Sequence, residues 1–228
     1  DKVMDDWITS AAKLNLTINK LPDTKSAGNG IVITTYANFG QNNALASRSW
    51  DLVVTDEAHY LMQEKDGNET DALKNLRAIS LHPRGAYERA TRLNAELLAK
   101  ASELSDAAKL ARASDDERNW HEATNLQAQA DALYAQFKQA VDSQKEHVAS
   151  NQGKSRPRVL FLSATPFAYE KAIDYAEGYL FDYGDASGDG YNSGDGREQF
   201  FMQHFGYRMR YNTLTRPDAE VDSGLMQR

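Results

Sequence analysis

Apolar and polar residues follow one another along this 228-residue chain in patterns that predict strands and helices in turn. Short β-branched or aliphatic runs predict buried strands. They are IVITTY at 31–36, LVVTD at 52–56 and RVLFLSAT at 158–165, with a shorter alternating run, LNLTI, at 14–18. Apolar residues spaced by three and four predict amphipathic helices over 3–14 and 69–81. Because helices separate the strands, we expect an α/β domain with a parallel sheet of three or four strands.

A long segment between the second and third of these main strands has a different composition. From Ala86 to Ala149 the chain contains neither Pro nor Gly and is rich in Ala, Leu, Glu, Gln, Lys and Arg, as long helices are. Two seams of mostly small or aliphatic residues run through it at helical spacing. They are Tyr87, Ala90, Asn94, Leu97, Ala101, Leu104, Ala108 and Ala111, and then Ala123, Leu126, Ala130, Leu133, Phe137, Ala140 and Gln144. Two seams that can face each other predict a long antiparallel helical hairpin inserted into the α/β domain.

These patterns divide the chain into four predicted segments. Residues 1–83 form the first part of the α/β core, 84–152 the hairpin, and 153–183 the second part of the core. Residues 184–228 form a Gly- and Asp-rich loop and a C-terminal extension, in which an aromatic stretch predicts a helix followed by a strand.

Composition narrows the classes of function. A formal net charge of -7 leaves no general basic character, so contact with nucleic acid must come from a local patch or from other parts of a larger protein. The absence of cysteine excludes disulfides and thiolate metal sites, and it fits a reducing cytoplasm. No apolar run approaches the ~20 residues of a membrane span, and the start DKVMDDW lacks signal-peptide character. We therefore expect a cytoplasmic chain without a membrane partner.

Two neighbouring acids stand at the end of the second main strand, where Asp56 and Glu57 directly follow LVVT. An Asp in this place can hold Mg²⁺ through the waters of the ion, and the next acid can orient and deprotonate a water that attacks a γ-phosphate. A solvated acidic pair at a strand end is the alternative. A second polar turn, Ser163-Ala164-Thr165, follows the third main strand and favours the chemical interpretation.

Taken together, TDEAH at 55–59 and LSATP at 162–166 resemble motifs II and III of the superfamily 2 DEAH/DEXH helicases and translocases. These motors are built on two RecA-like domains of the P-loop NTPase type. ITTYANF at 33–39 is similar to the motif Ib region of the remodeller-type and restriction-type members. The run SATPFAYEKAIDYAEGYLFDYG is most similar to phage- and plasmid-borne relatives of the strawberry notch group. The resemblance covers about residues 30–82 and 156–183, and it does not cover the hairpin.

The resemblance implies a role for each matching residue. Asp56 would be the Mg²⁺-associated carboxylate, Glu57 the general base, and His59 a link between the nucleotide site and the second motor domain. Ser163, Ala164 and Thr165 would couple the state of the bound ATP to the binding of nucleic acid. Thr34, Thr35 and Tyr36 would lie near the backbone of the bound strand. The alternatives are an ordinary turn after the third main strand, a purely structural strand at 31–36, and a local bridging role for His59.

Two parts of such a motor do not occur in this sequence: the phosphate-binding loop G-x-x-x-x-G-K-[ST], and a recognisable arginine finger. The resemblance thus implies the middle-to-late part of the first motor domain of an ATP-dependent helicase or translocase. Mg²⁺, ATP and DNA or RNA would bind in the complete motor, meaning a polypeptide in which a phosphate-binding loop and a second motor domain accompany this chain. We expect the chain alone to hydrolyse ATP negligibly, because the main sources of transition-state charge stabilisation are missing.

A function of another class stays open, namely a non-enzymatic interaction module in which a degenerate ATPase core displays the hairpin. The hairpin itself suits a strand-displacing pin, a partner-docking arm or a spacer. Its mixed charges form no basic stripe, which favours a protein partner or a structural role over contact with DNA.

Overall fold

The computed structural model describes residues 2–21, 30–62, 69–113, 117–151, 156–164, 170–183, 193–210 and 213–215. They form a mixed α/β fold that is mostly helical and that divides into two compact units, Asp1–Tyr175 and Ala176–Arg228. The first unit contains α1 (Lys2–Ala12), β1 (Ile18–Lys20), β2 (Ile31–Ile33), α2 (Tyr36–Gln41), β3 (Leu52–Thr55), α3 (Asp71–Ile79), α4 (Ala86–Leu93), α5 (Ala95–Arg112), α6 (Glu117–Asn151) and β4 (Arg158–Phe161). The second unit contains α7 (Ser193–Phe205), β5 (Arg208–Arg210) and β6 (Thr213–Thr215). None of the helices in these described stretches combines the length and apolar character needed to cross a bilayer.

The predicted parallel pairing is confirmed, but the described strands of the first unit form two small sheets instead of one. β1 pairs with β2, and β3 pairs with β4, so that Leu52 lies opposite Arg158. Leu52, Val54 and Leu160 share one face of the second sheet and remain about half exposed. Parallel sheets are normally buried on both faces, so this sheet is only half covered by the described residues.

Turn chemistry overrides two of the strand predictions. The strand predicted over 14–18 is wrong because Asn15 takes a left-handed conformation (φ 58°) and turns the chain at the end of α1. The amides of Leu14 and Leu16 both bond to the Ala11 carbonyl, and the strand begins only at Ile18. The strand predicted over 31–36 ends at Ile33, because the Thr35 hydroxyl accepts the Asn38 amide at 3.3 Å and caps α2.

The predicted hairpin is present, with α5 packed along α6. The alanines on the two facing seams are completely buried, which allows the helix axes to approach closely; they are Ala101, Ala108, Ala123 and Ala130. The first arm is not continuous, because a break at Asn94 separates α4 from α5. The Asn94 side-chain amide donates to the Ala90 carbonyl at 2.8 Å and competes with the regular helical bonding there.

Buried residues and hydrogen bonds join α3 to the elements before it in the first unit. Leu73 and Leu76 on α3 are fully buried, as is Leu61 in the short 3-10 helix Ala58–Leu61 that follows the acidic turn. Asn75, also on α3, donates to the Phe39 carbonyl at 2.6 Å and so joins α3 to α2. The Thr70 hydroxyl, directly before α3, donates to the Leu61 carbonyl at 2.7 Å and so joins the short helix after the acidic turn to α3.

An aromatic cluster holds the second unit together. Phe201 on α7 is fully buried and packs against Phe205 and Tyr207, with ring centroids 5.3 Å away in both pairs. The Arg197 guanidinium lies 4.7 Å from the centre of the Phe201 ring. The helix predicted in this region is present, and β5 and β6 after it form an antiparallel pair.

Candidate functional site

The two motif segments lie side by side at one edge of the β3–β4 sheet. Hydrogen bonding continues beyond the strands, since the Leu162 amide donates to the Thr55 carbonyl at 2.8 Å and the Ala58 amide to the Leu162 carbonyl at 2.9 Å. The carboxyl ends of both strands therefore point the same way, as parallel pairing requires. His59 and Ser163 meet here although 104 positions separate them in sequence.

The acidic turn after β3 has an unusual backbone. Glu57 adopts the left-handed conformation (φ 51°, ψ 54°), which costs a residue with a Cβ atom roughly 1–2 kcal/mol. The Glu57 amide donates to the Asp56 carboxylate at 3.1 Å, and this hydrogen bond supports the turn locally. The turn leaves Asp56 exposed at the strand end and brings Glu57, with 47% of its side chain exposed, towards β4.

Glu57, His59 and Ser163 form a small polar network. His59 Nδ1 lies 3.0 Å from Ser163 Oγ and 3.4 Å from Glu57 Oε2, and Ser163 Oγ donates to the same carboxylate oxygen at 3.4 Å. The 3.0 Å contact can form with the proton on either partner, because the serine hydroxyl can donate or accept and the role of the ring nitrogen depends on its tautomer. The network thus runs from the imidazole through the serine hydroxyl to the carboxylate.

This arrangement does not suit a nucleophilic serine. A Ser-His-acid triad uses one ring nitrogen to take the proton of the nucleophile and the other to meet the acid. Here Ser163 and Glu57 both contact the same ring nitrogen, Nδ1 of His59, so the ring does not bridge the hydroxyl and the acid. The geometry therefore favours an oriented carboxylate over an activated hydroxyl.

Tyr36 reaches the acidic turn from the end of the other sheet. Its hydroxyl donates to the Asp56 carbonyl at 2.7 Å, across 20 positions of sequence. Thr34 and Thr35 before it also make internal contacts: Thr34 Oγ1 accepts from the Asn38 side chain at 2.9 Å, and Thr35 caps α2. Of the three residues predicted to contact nucleic acid, Thr35 is the exposed one. Contact of this segment with nucleic acid stays a prediction.

The structure thus brings five residues together: Tyr36, Asp56, Glu57, His59 and Ser163. Ala164 follows as an exposed residue, and Thr165, the last of the predicted coupling residues, lies outside the described residues. Sequence reasoning missed the Tyr36 bond to Asp56 and the positive φ of Glu57. No composition or spacing signal in TDEAH marks that conformation, since it is normally associated with Gly, Asn or Asp.

The donor set fits Mg²⁺. Carboxylate oxygens are the protein ligands that Mg²⁺ prefers, and the ion usually keeps several waters and one or two carboxylates. Asp56 supplies an exposed carboxylate at the strand end, and Glu57 stands next to it. Within the described ranges, no three His, Asp or Glu side chains converge on one point. A metal held here would therefore depend on Asp56, on waters and on the phosphates of a nucleotide.

Comparison of this chain with protein-family models, with curated proteins and with solved structures yields no match.

Proposed function

We propose that this chain is part of the first RecA-like domain of an ATP-dependent nucleic-acid helicase or translocase of superfamily 2. The observation that carries the proposal is the contact between TDEAH and LSATP, in which Ser163 lies 3.0 Å from His59 and 3.4 Å from Glu57. Strands far apart, or pointing in opposite directions, would have separated these residues.

The residues of the site divide the chemistry between them. Bound Mg²⁺ and ATP would supply the electrophilic phosphoryl group and neutralise its charge. Asp56 would hold the ion through water, and Glu57 would orient the attacking water and take its proton. His59 and Ser163 hold the Glu57 carboxylate on the β4 side, and contacts of 3.4 Å leave room for shortening when substrate is bound.

Nucleic acid would pass near the segment that follows β2, where Thr35 is exposed and Thr34 half-buried. DNA is the preferred substrate in this proposal and RNA the alternative. Charge neutralisation of the phosphates would come mainly from other parts of the complete motor, because this chain carries a net charge of -7.

A second candidate, the non-enzymatic interaction module, is favoured by the hairpin. Its inner seam is used internally, yet Leu110 on α5 and Trp120 on α6 are 77% and 57% exposed. Both lie near the junction between α5 and α6, where exposed large apolar side chains would suit a protein-docking surface. The hairpin is compatible with both candidates, so only the chemistry separates them.

The test is ATP hydrolysis by the complete motor, with and without single- and double-stranded DNA. We expect hydrolysis that rises when one of the two nucleic acids is added. A complete motor that releases no phosphate under any of these conditions would contradict the proposal and favour the interaction module. The chain alone should release no more phosphate than its Glu57→Gln variant.

A further inference from the structure

Tyr36 joins two parts of the first unit that share no β-ladder among the described strands. β2 belongs to one sheet and β3 to the other. The side chain of Tyr36, at the start of α2, crosses this gap, and its hydroxyl donates to the main-chain carbonyl of Asp56 at 2.7 Å. The carboxylate of Asp56 is exposed, whereas its carbonyl is held. The contact therefore fixes the backbone of the acid and leaves its functional group accessible.

The acidic turn needs such a contact because its conformation is strained. Glu57 has a positive φ, and only surrounding contacts keep a residue of this type there. The Ala58 amide secures the turn on the β4 side through its bond to Leu162, and Tyr36 secures it on the β2 side. Rotation of the Asp56 carbonyl would rotate the whole 56–57 peptide plane. That motion would pull the Glu57 amide away from the Asp56 carboxylate, which it now meets at 3.1 Å.

The environment of the phenol keeps it a donor. Burial raises the pKa of Tyr36 well above its ordinary value, and the charges of Asp56 and Glu57 act in the same direction. The neighbouring Thr55 hydroxyl acts in the opposite direction but does not cancel this rise. The Tyr36 hydroxyl consequently stays protonated at any working pH and donates to the carbonyl throughout.

We propose that Tyr36 is a positioning residue for the Asp56–Glu57 turn, which it holds through the main-chain carbonyl of Asp56. An effect of this positioning on catalysis rests on the proposed function.

Native-state hydrogen exchange of the 228-residue chain tests the positioning role. The Ala58 amide reports on the turn, and the Leu162 amide, bonded to Thr55, reports on the adjoining sheet. In Tyr36→Phe the ring stays and only the hydroxyl is lost. We expect Ala58 to exchange about tenfold faster, as the loss of one hydrogen bond allows, with Leu162 unchanged within about twofold. Tyr87→Phe is the matched control, because Tyr87 is 61% exposed on α4, and neither amide should respond to it.

Two results would overturn the proposal. An unchanged Ala58 amide would show that the Tyr36 hydroxyl does not hold the turn, and an equal acceleration of both amides would show general loosening of the fold. In the complete motor, Tyr36→Phe should lower kcat for ATP about tenfold and leave KM unaltered, which a purely structural defect would not do. A wild-type complete motor without ATPase activity would contradict the proposed function instead. Hydrogen exchange at the Ala58 amide would still decide whether Tyr36 holds the turn.

Discussion

Replacing Gly85 by alanine should be among the most damaging single-methyl additions in the first unit. Gly85 precedes α4 with an ordinary backbone conformation (φ -88°, ψ -5°), so an alanine there is not opposed by its dihedral angles. The obstacle is space. A Cβ atom at this position would lie 2.2 Å from the carbonyl oxygen and 2.3 Å from the carbonyl carbon of Arg77, both in the backbone of α3.

The size of the effect follows from these contacts. Ordinary van der Waals contact begins near 3.4 Å, so the end of α3 or the start of α4 would have to move by roughly 1 Å. Overpacking of this kind costs about 1–3 kcal/mol, and here no flexible side chain can move away to reduce it. The entropy that alanine removes from the unfolded chain returns only about 0.4–1 kcal/mol. We therefore expect a net loss of about 2–2.5 kcal/mol.

Gly30→Ala is a control in which the loss of stability comes from backbone conformation and not from a steric clash. Gly30 has a positive φ of 64°, but the nearest neighbour of an added Cβ would be the Asn19 side chain at 3.9 Å. The cost there is conformational, about 1–2 kcal/mol. Urea unfolding followed by circular dichroism should rank wild type, Gly30→Ala and Gly85→Ala in decreasing order of stability. Gly85→Ala should also lower Tm by about 4–10 °C. A Gly85→Ala chain as stable as Gly30→Ala would show that α3 and α4 accommodate a Cβ atom at this position without cost.

Three further predictions concern other parts of the first unit. Ala130→Leu in the buried seam of α6 should lower the free energy of unfolding by about 1–3 kcal/mol in thermal unfolding. The same change at the exposed Ala128 should lower it little, and equal losses would contradict close packing at Ala130. Thr70→Ala removes the hydroxyl that accepts the Leu73 amide at 3.2 Å and caps α3, and should cost about 1 kcal/mol in urea unfolding, so a neutral result would exclude the cap. The Lys20 ammonium donates to Asp5 at 3.3 Å and holds the pKa of that carboxyl below its ordinary 3.8. The Asp5–Lys20 contact should thus stabilise the fold above that pH and cease to do so as pH falls through the lowered pKa. In an NMR titration Lys20→Met should move the Asp5 midpoint upwards, and an unmoved midpoint would refute the pairing.

Periodicity predicted the parts of the fold that depend on burial. The β-branched runs separated by helices led to the parallel pairing of β3 with β4, and the alanine seams led to the hairpin. Local hydrogen bonds decided the rest. Thr35 ends β2 early by capping α2, and Asn94 divides the predicted first arm by bonding back to Ala90. Such side-chain bonds compete with regular structure and leave little trace in an apolar pattern.

The sequence predicted where the candidate site lies but not which of its side chains contact one another. Asp56 and Ser163 follow runs that read as strands, so placing both at strand ends needed only the rule for parallel sheets. The contact of Ser163 with His59 depends on the register of β3 and β4 across 104 positions, which sequence spacing does not contain. The Tyr36 bond was missed because the β-branched run favoured a strand through residue 36, whereas the chain leaves the sheet at Ile33.

Single-turnover ATP hydrolysis by the complete motor, comparing wild type with Glu57→Gln, shows whether Glu57 is the catalytic base. The variant keeps the shape of the side chain and removes its basicity, and general-base catalysis contributes about 10²–10⁴ in rate. We predict a rate loss of at least about a hundredfold. Glu146→Gln, at an exposed position of α6, should have no effect. Hydrolysis by Glu57→Gln at the wild-type rate would contradict the assignment of Glu57 as the base that activates water.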